Sequence, residues 1–398
     1  MKKILIVSIE SNAKAFTPAG NEMRSLAEKL AKKNKVTLLT FHSKKSEISE
    51  KPQSENLRID SVKNPKASFY RFFERQKNCR TRLGELLLNL YFALFQQIIN
   101  RANYKPLHSY LEGQHETYDL IISVSNPFLN HDIAKEIKEK CHIPVWYLFF
   151  LDQFADAYTA HSTQEEVNRR KQKEATAFEA CQKIFTTQPI FDHCTQLQNA
   201  KFKEKTVVVP DVFIQDLTHF CKEGDPDVFR VGYFGAFLPK IREPKKLFEI
   251  LSRLPKAVLV DIYYTGCDTE VEKLEHGENV RLHDLIRDPE RYRETVGKTD
   301  ILINVGNLVA NQIPSKIYDC IGFGKPMIHF YQDDEDFTLQ KFSKYPLIRF
   351  VDYRKDPDLA AKEFLAACAE LKGKTLSYEH IKELFGTDTI ESFLDQYF

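Results

Sequence analysis

Along the chain, short runs of branched apolar residues alternate with longer segments whose apolar and charged positions recur at helical spacing. The runs Ile4 to Ile9, Val36 to Phe41, Leu120 to Val124, Val145 to Phe150, Lys183 to Thr187 and Lys205 to Val209 predict strands. Helices are predicted between them over Asn21 to Lys33, His131 to Lys140 and Glu165 to Cys181. Strands apolar on both faces and separated by helices are the mark of a parallel sheet covered on both sides.

The pattern then begins again. After the turn-rich stretch around Gly224-Asp225-Pro226, a strand at Phe229 to Phe234 opens into Gly235, with a helix at Pro244 to Arg253 and a strand at Val258 to Tyr264. That order of strand, glycine loop, helix and strand repeats the one at residues 1 to 41. Two Rossmann-like domains follow, over residues 1–215 and 216–376, joined near 211 to 228. The helical segment 377–398 is expected to complete the first of them.

Composition narrows the class. Lys+Arg 57 against Asp+Glu 56 leaves a net charge of +1, so no global attraction to nucleic acid is expected. Hydrophobic content of 42% with 28% charged residues suits a globular cytoplasmic enzyme. The eight cysteines are scattered without a CxxC pair, which argues against a zinc ribbon or a dithiol motif. Basic residues precede Ile4-Leu5-Ile6-Val7, but Ser8 and Glu10 break that run, so it reads as a first strand and not as a signal peptide. No apolar run is long enough to span a membrane; Leu83 to Ile99 comes nearest, interrupted by Gly84, Glu85, Asn89, Gln96 and Gln97.

The candidate chemistry lies in the second half. In an open parallel sheet, ligands bind beyond the carboxyl ends of the strands. Gly235 ends a strand there, and Lys240 and Arg242 follow within seven residues, suited to neutralising a departing diphosphate. A second strand, Asp300 to Val305, leads through Gly306-Asn307 to Asn311-Gln312-Ile313-Pro314-Ser315-Lys316. Pro314 fits a first helical position, which would place Ser315 and Lys316 at the positive helix end, beside a phosphate. Asp319 lies one turn further on the same face, where a carboxylate can accept ribose hydroxyls. Gly322, Gly324 and Lys325-Pro326 then lead into the strand Met327 to Phe330.

The run PSKIYDCIGFGKPMIHF resembles the nucleotide-sugar site of family 4 glycosyltransferases and their GT-B relatives. That resemblance implies an α/β GT-B fold, with two Rossmann-like domains whose parallel sheets face each other across a cleft. Of two glutamates that the family spaces eight positions apart, the second matches Asp319 and the first falls on Asn311, a departure that alters the sugar contact. Lys240 or Arg242 matches the basic pair on the diphosphate. Val280 to Asp284, with His283 and Asp284, matches the loop that holds the nucleobase.

In the first half, Pro18-Ala19-Gly20-Asn21 resembles the family's glycine-bearing loop, placing Gly20 against the donor. Ser123-Val124-Ser125-Asn126-Pro127-Phe128-Leu129-Asn130-His131 is similar to a segment of a bacterial, surface-polysaccharide branch. His131 would then begin a helix facing the cleft, and Asp152 would match a strand-end aspartate that orients an acceptor hydroxyl. The implied activity is transfer of a sugar from a nucleoside diphosphate sugar, with UDP preferred, to a hydroxyl of a glycan or lipid-linked glycan. Retention of configuration is implied by the resemblance alone. No cofactor and no metal are expected; of the DxD runs, Asp225-Pro226-Asp227 falls in the joining stretch. Two alternatives remain open: an inactive GT-B module serving as partner or scaffold of a transferase, and a GT-B-like UDP-sugar epimerase.

One further feature bears on location. Residues 63 to 105 carry nine basic residues against Glu74 and Glu85, interleaved with Phe69, Tyr70, Phe72 and Phe73. Such a surface suits anionic headgroups at the cytoplasmic face of a membrane, or the diphosphate of a lipid-linked acceptor.

Overall fold

The computed structural model describes residues 1–9, 18–42, 55–63, 105–113, 115–125, 127–152, 154–155, 163–194, 197–210, 212–222, 229–238, 241–308 and 313–398. The chain divides into two compact units, Met1–Asp211 and Val212–Phe398.

The first unit runs β1 (Lys3–Val7), α1 (Pro18–Leu30), β2 (Lys35–His42), β3 (Leu57–Lys63), α2 (Lys105–Gly113), β4 (Leu120–Val124), α3 (Leu129–Lys140), β5 (Val145–Phe150), α4 (Gln164–Ala180), β6 (Lys183–Thr186), α5 (Gln188–Cys194) and β7 (Thr206–Val208). Its sheet has the order β3-β2-β1-β4-β5-β6-β7, all pairs parallel. Ile4, Leu5, Ile6 and Val7 are fully buried, as a central strand covered on both faces requires.

The second unit runs β8 (Phe229–Ala236), α6 (Lys245–Leu251), β9 (Val258–Thr265), α7 (Asp268–Val271), β10 (Val280–Asp284), α8 (Pro289–Gly297), β11 (Ile301–Val305), α9 (Lys316–Gly322), β12 (Met327–Tyr331), α10 (Phe337–Phe342), β13 (Ile348–Asp352), α11 (Pro357–Leu371), α12 (Tyr378–Phe385) and α13 (Ile390–Tyr397). Its parallel sheet is ordered β10-β9-β8-β11-β12-β13. Each sheet therefore grows outward first on one side of its opening strand and then on the other. The reversal falls between β1 and β4 in one unit and between β8 and β11 in the other, and such switch points are where open α/β sheets bind ligands.

Segment 377–398 differs from the expectation that it completes the first unit. Ile381 and Phe385 join the second hydrophobic core. The Ile214 and Ile390 backbones bond at 3.0 Å, and the Tyr378 hydroxyl donates to the Ile214 carbonyl at 3.1 Å. The cause is local: Gly324 turns with φ +64°, and its carbonyl accepts from Leu376 N at 2.8 Å. A Cβ at Gly324 would sit 2.0 Å from the Leu376 carbonyl oxygen, so glycine is what lets the tail leave along α9.

Three further departures are local, and the last two concern edge strands. α1 starts at Pro18, so Gly20 lies in its first turn and not in a loop before it. Val280 to Asp284 forms the edge strand β10 rather than a loop, and β13 with α11 extends the sheet beyond the predicted elements. Edge strands alternate polar and apolar residues, so they lack the continuous apolar run that marks a central strand.

Among the described residues no helix is long and apolar enough to cross a membrane. Residues 64–104, which include most of the basic aromatic stretch, lie outside the described residues.

Candidate functional site

At the switch point of the second sheet, two loops leave adjacent strands. After β8 the chain turns back on itself, with Leu238 and Arg242 pairing through their backbones at 2.8 and 3.2 Å. Lys240 lies outside the described residues. Arg242 returns under the strand end, where Nη1 donates to the Ala236 carbonyl at 3.3 Å and Nη2 to Asn307 Oδ1 at 2.7 Å. Its Nε is buried and has no hydrogen-bond partner among the described residues. Gly235 leaves space for this return: a Cβ there would lie 2.9 Å from the Tyr233 hydroxyl and 3.6 Å from Arg242 Nη1.

The second cluster forms on α9. Pro314 is buried and precedes the helix by two residues, although its carbonyl already accepts from Ile317 N at 3.1 Å. Ser315 is exposed and its hydroxyl makes no capping bond. Lys316, expected beside a phosphate, is engaged within the chain. Its ammonium donates to Asp319 Oδ2 at 2.9 Å and lies 4.1 Å over the Tyr292 ring. The Tyr292 hydroxyl donates to that same Asp319 oxygen at 3.2 Å. Burial, reinforced by the Asp319 charge, raises the Tyr292 hydroxyl well above its ordinary pKa, so it stays a donor at neutral pH. Two donors on Oδ2 fix the carboxylate, while Oδ1 takes no side-chain hydrogen bond from the described residues. Asn311 lies outside the described residues.

His283 sits on the β10 edge and not in a loop. Its ring stacks on Tyr263 at 4.4 Å, Tyr263 stacks on Phe234 at 4.9 Å, and its Nε2 meets Asp261 at 2.8 Å. The three rings form one cross-strand row in register. Asp284 is exposed at the end of β10.

Behind the β11 loop lies a buried polar chain that sequence reading passed over. Asn304 Nδ2 meets His329 Nδ1 at 2.7 Å, and His329 Nε2 meets Asp336 Oδ2 at 3.1 Å. Asp336 Oδ1 accepts from Thr338 N at 2.8 Å, capping α10. All three linked side chains are buried. With Asn304 donating to Nδ1, the imidazole is neutral and carries its proton on Nε2, facing the carboxylate. Burial lowers the His329 pKa and outweighs the opposing pull of Asp336. Desolvation pushes Asp336 upward, but its bonds from His329 and Thr338 prevail and hold it below the ordinary carboxylate value.

In the first unit, Ser125 Oγ accepts from Leu151 N at 2.6 Å and Asp152 N at 3.2 Å, fixing the end of β5. The Asp152 side chain is exposed, yet crowding by neighbouring chain lifts its carboxyl above the ordinary value. His131 departs from the expectation of a ring facing a cleft. It is 1% exposed, packed near Phe128, Trp146 and Phe150, with Nδ1 2.8 Å from Ser123 Oγ. Trp146 Nε1 donates to the same hydroxyl at 2.8 Å, while His131 Nε2 is buried with no partner among the described residues. The aromatic residues of β5 draw the first turn of α3 into the core, which the sequence segment alone does not reveal.

Burial drives the His131 pKa down to about 3. The folded state therefore binds its proton more weakly than the unfolded chain, whose histidine titrates near about 6.5. Stability from this group is complete above about pH 6.5 and is lost as pH falls toward about 3, by at most about 1.4 kcal/mol per pH unit. Urea midpoints should fall between pH 7 and pH 5, and His131→Gln should flatten that decline. Equal slopes in the two proteins would refute the assignment.

No protein-family model matches the sequence, and a search of curated proteins finds no relative. Solved structures do match across the whole chain. A glycosyltransferase from Rickettsia africae superposes with a TM-score of 0.57 at 12% identity, covering 99% of this chain and 96% of that one. An α,α-trehalose-phosphate synthase (UDP-forming) from Burkholderia xenovorans gives 0.57 at 10%, covering 100% and 99%. A trehalose-6-phosphate structure from E. coli, bound with UDP-2-fluoro glucose, gives 0.56 at 11%, covering 99% and 98%. With two Rossmann-like units in one chain and matches of this extent, the protein has the GT-B fold of these glycosyltransferases.

Proposed function

We propose that the protein is a glycosyltransferase that moves a sugar from a nucleoside diphosphate sugar, UDP-linked, to a hydroxyl of a glycan or lipid-linked glycan. The observation that carries this reading is the pair of groups around the second switch point. Arg242 is held between the β8 and β11 loops, and Asp319 is clamped on one oxygen only. Arg242, with Lys240 two positions before it in the sequence, takes the diphosphate; Oδ1 of Asp319 accepts from the ribose. The fold supports the reading, since the E. coli relative was solved with UDP-2-fluoro glucose.

In the reaction the anomeric C–O bond breaks with its electron pair leaving on the diphosphate, and the acceptor oxygen bonds to the anomeric carbon as its proton passes to the departing diphosphate. Arg242 and Lys240 stabilise the negative charge that develops, which is the role of preorganised cations in such transfers, and no metal is required. Asp152 orients the acceptor hydroxyl. His131, enclosed in the first core, receives no contact role. Retention of configuration, a role in bacterial polysaccharide synthesis and peripheral contact with the cytoplasmic face of a membrane through residues 63–105 belong to the same proposal.

Thermal-shift measurements against UDP-, GDP- and dTDP-sugars test the reading. Stabilisation by one nucleotide class, with transfer that persists in excess EDTA, is the expected result; a folded protein indifferent to all of them sinks it. Tyr292→Phe sharpens the ribose assignment. It should weaken UDP binding by about 3- to 10-fold, the loss expected for one ordinary hydrogen bond, and leave 2′-deoxy-UDP less affected. Equal losses for the two nucleotides in calorimetric titration would detach Asp319 from the ribose.

A further inference from the structure

Arg242 reaches its position only because two loops from different strands are tied together, and one side chain holds both. Gln332, half-buried just past β12, donates from Nε2 to the Gly306 carbonyl at 2.6 Å and to the Ile241 carbonyl at 3.2 Å. Two carbonyl oxygens around one atom require the amide nitrogen there, so the orientation of the side chain is fixed. The same loops are laced by Leu308 N to the Ile241 carbonyl at 3.0 Å and by Arg242 Nη2 to Asn307 Oδ1.

We propose that Gln332 is a positioning residue for the diphosphate site: it holds the Ile241–Arg242 and Gly306–Asn307 segments in one frame and thereby aims the Arg242 guanidinium. This inference rests on the reading of Arg242 given above. Gln332 itself touches no ligand. Without its amide, two carbonyls lose their shared donor, and among the described residues the two loops stay tied through Leu308 N on the Ile241 carbonyl and Arg242 on Asn307. The anchoring side is stiff. A Cβ on Gly306 would meet Asp336 Oδ2 at 2.6 Å, so that turn is pressed against a buried, capped carboxylate and cannot shift inward. The Ile241–Arg242 side is therefore the one that moves when the bond is cut.

The test is calorimetric titration of UDP and of uridine into wild type, Gln332→Met, Arg242→Ala and the double variant, with circular dichroism melting of each. Methionine keeps the length of the side chain and removes the donor. Gln332→Met should raise the Kd for UDP about tenfold, leave uridine unchanged, and add less than about twofold in the Arg242→Ala background, because sites that act through one another are not additive. A folded Gln332→Met protein that binds UDP as wild type does overturns the inference. So does a loss of the same size with Arg242 already removed, since Gln332 would then act independently of it. Should Gln332→Met fail to fold, Gln332→Glu carries the same comparison. Collapse of both would make the residue a plain structural tie and reject the positioning role. If UDP, GDP and dTDP all fail to bind wild type, the function proposed above falls, and this inference with it.

Discussion

Replacing Arg242 with alanine should lower sugar transfer, or hydrolysis of the donor that stabilises the protein, by about 10²- to 10³-fold, the usual cost of removing one preorganised donor from developing charge. The expectation follows from how completely the side chain is placed. One terminal nitrogen lies on the Ala236 carbonyl, the other on Asn307, and the buried Nε has no partner among the described residues. A guanidinium tethered at both ends cannot swing toward water, so little reorganisation is left to be done when charge appears beside it. Lysine at this position keeps the charge but has a single nitrogen for two diverging acceptors, and should recover only part of the lost rate. Steady-state kinetics on folded Arg242→Ala and Arg242→Lys proteins decide the matter. Turnover by the alanine variant within about threefold of wild type would remove Arg242 from the chemistry, because such a change is below the cost of even one ordinary hydrogen bond to a charge.

The largest stability effect is expected at Asp336, which no ligand need touch. Asp336→Ala removes the acceptor of the buried His329 Nε2–H, uncaps α10 and opens space beside Gly306. An unsatisfied buried donor costs about 1 to 3 kcal/mol and a lost cap about 1, so a loss of roughly 3 kcal/mol is expected. Asp336→Asn keeps the volume and the capping oxygen and should fall between. Urea denaturation followed by circular dichroism measures both. The sign of the pH effect is also set. Because the folded carboxyl lies below its ordinary value, its contribution is present above about pH 4 and fades as the solution becomes more acidic. A midpoint for Asp336→Ala equal to wild type would mean that the network can be dissolved at no cost.

The contrast between these residues shows what a sequence displays. The central strands were legible because Ile4-Leu5-Ile6-Val7 and Leu120 to Val124 are apolar at every position, which only a doubly covered strand demands. The edge strand β10 was not, since Val280-Arg281-Leu282-His283-Asp284 alternates like an exposed turn region. Lys316 and Asp319 stand one helical turn apart, so their placement on one face could be read from spacing. Tyr292, Asn307 and Gln332 could not. Tyr292 is 27 residues from Asp319, Asn307 is 65 from Arg242, and Gln332 is 91 from Ile241, distances that only the assembled sheet closes. His131 failed in the opposite direction: its local context suggested an exposed role, and the aromatic strand opposite claimed it for the core.

That same aromatic strand has a practical consequence. Trp146 is the only tryptophan of the 398 residues, and it lies buried in the first unit with its indole nitrogen on Ser123. Excited at the red edge of its band, the protein therefore emits from one half alone, and the second half is optically silent. Emission will report the unfolding of residues 1–211 while circular dichroism reports both units. The two signals, followed together, resolve whether the halves melt as one body or in sequence.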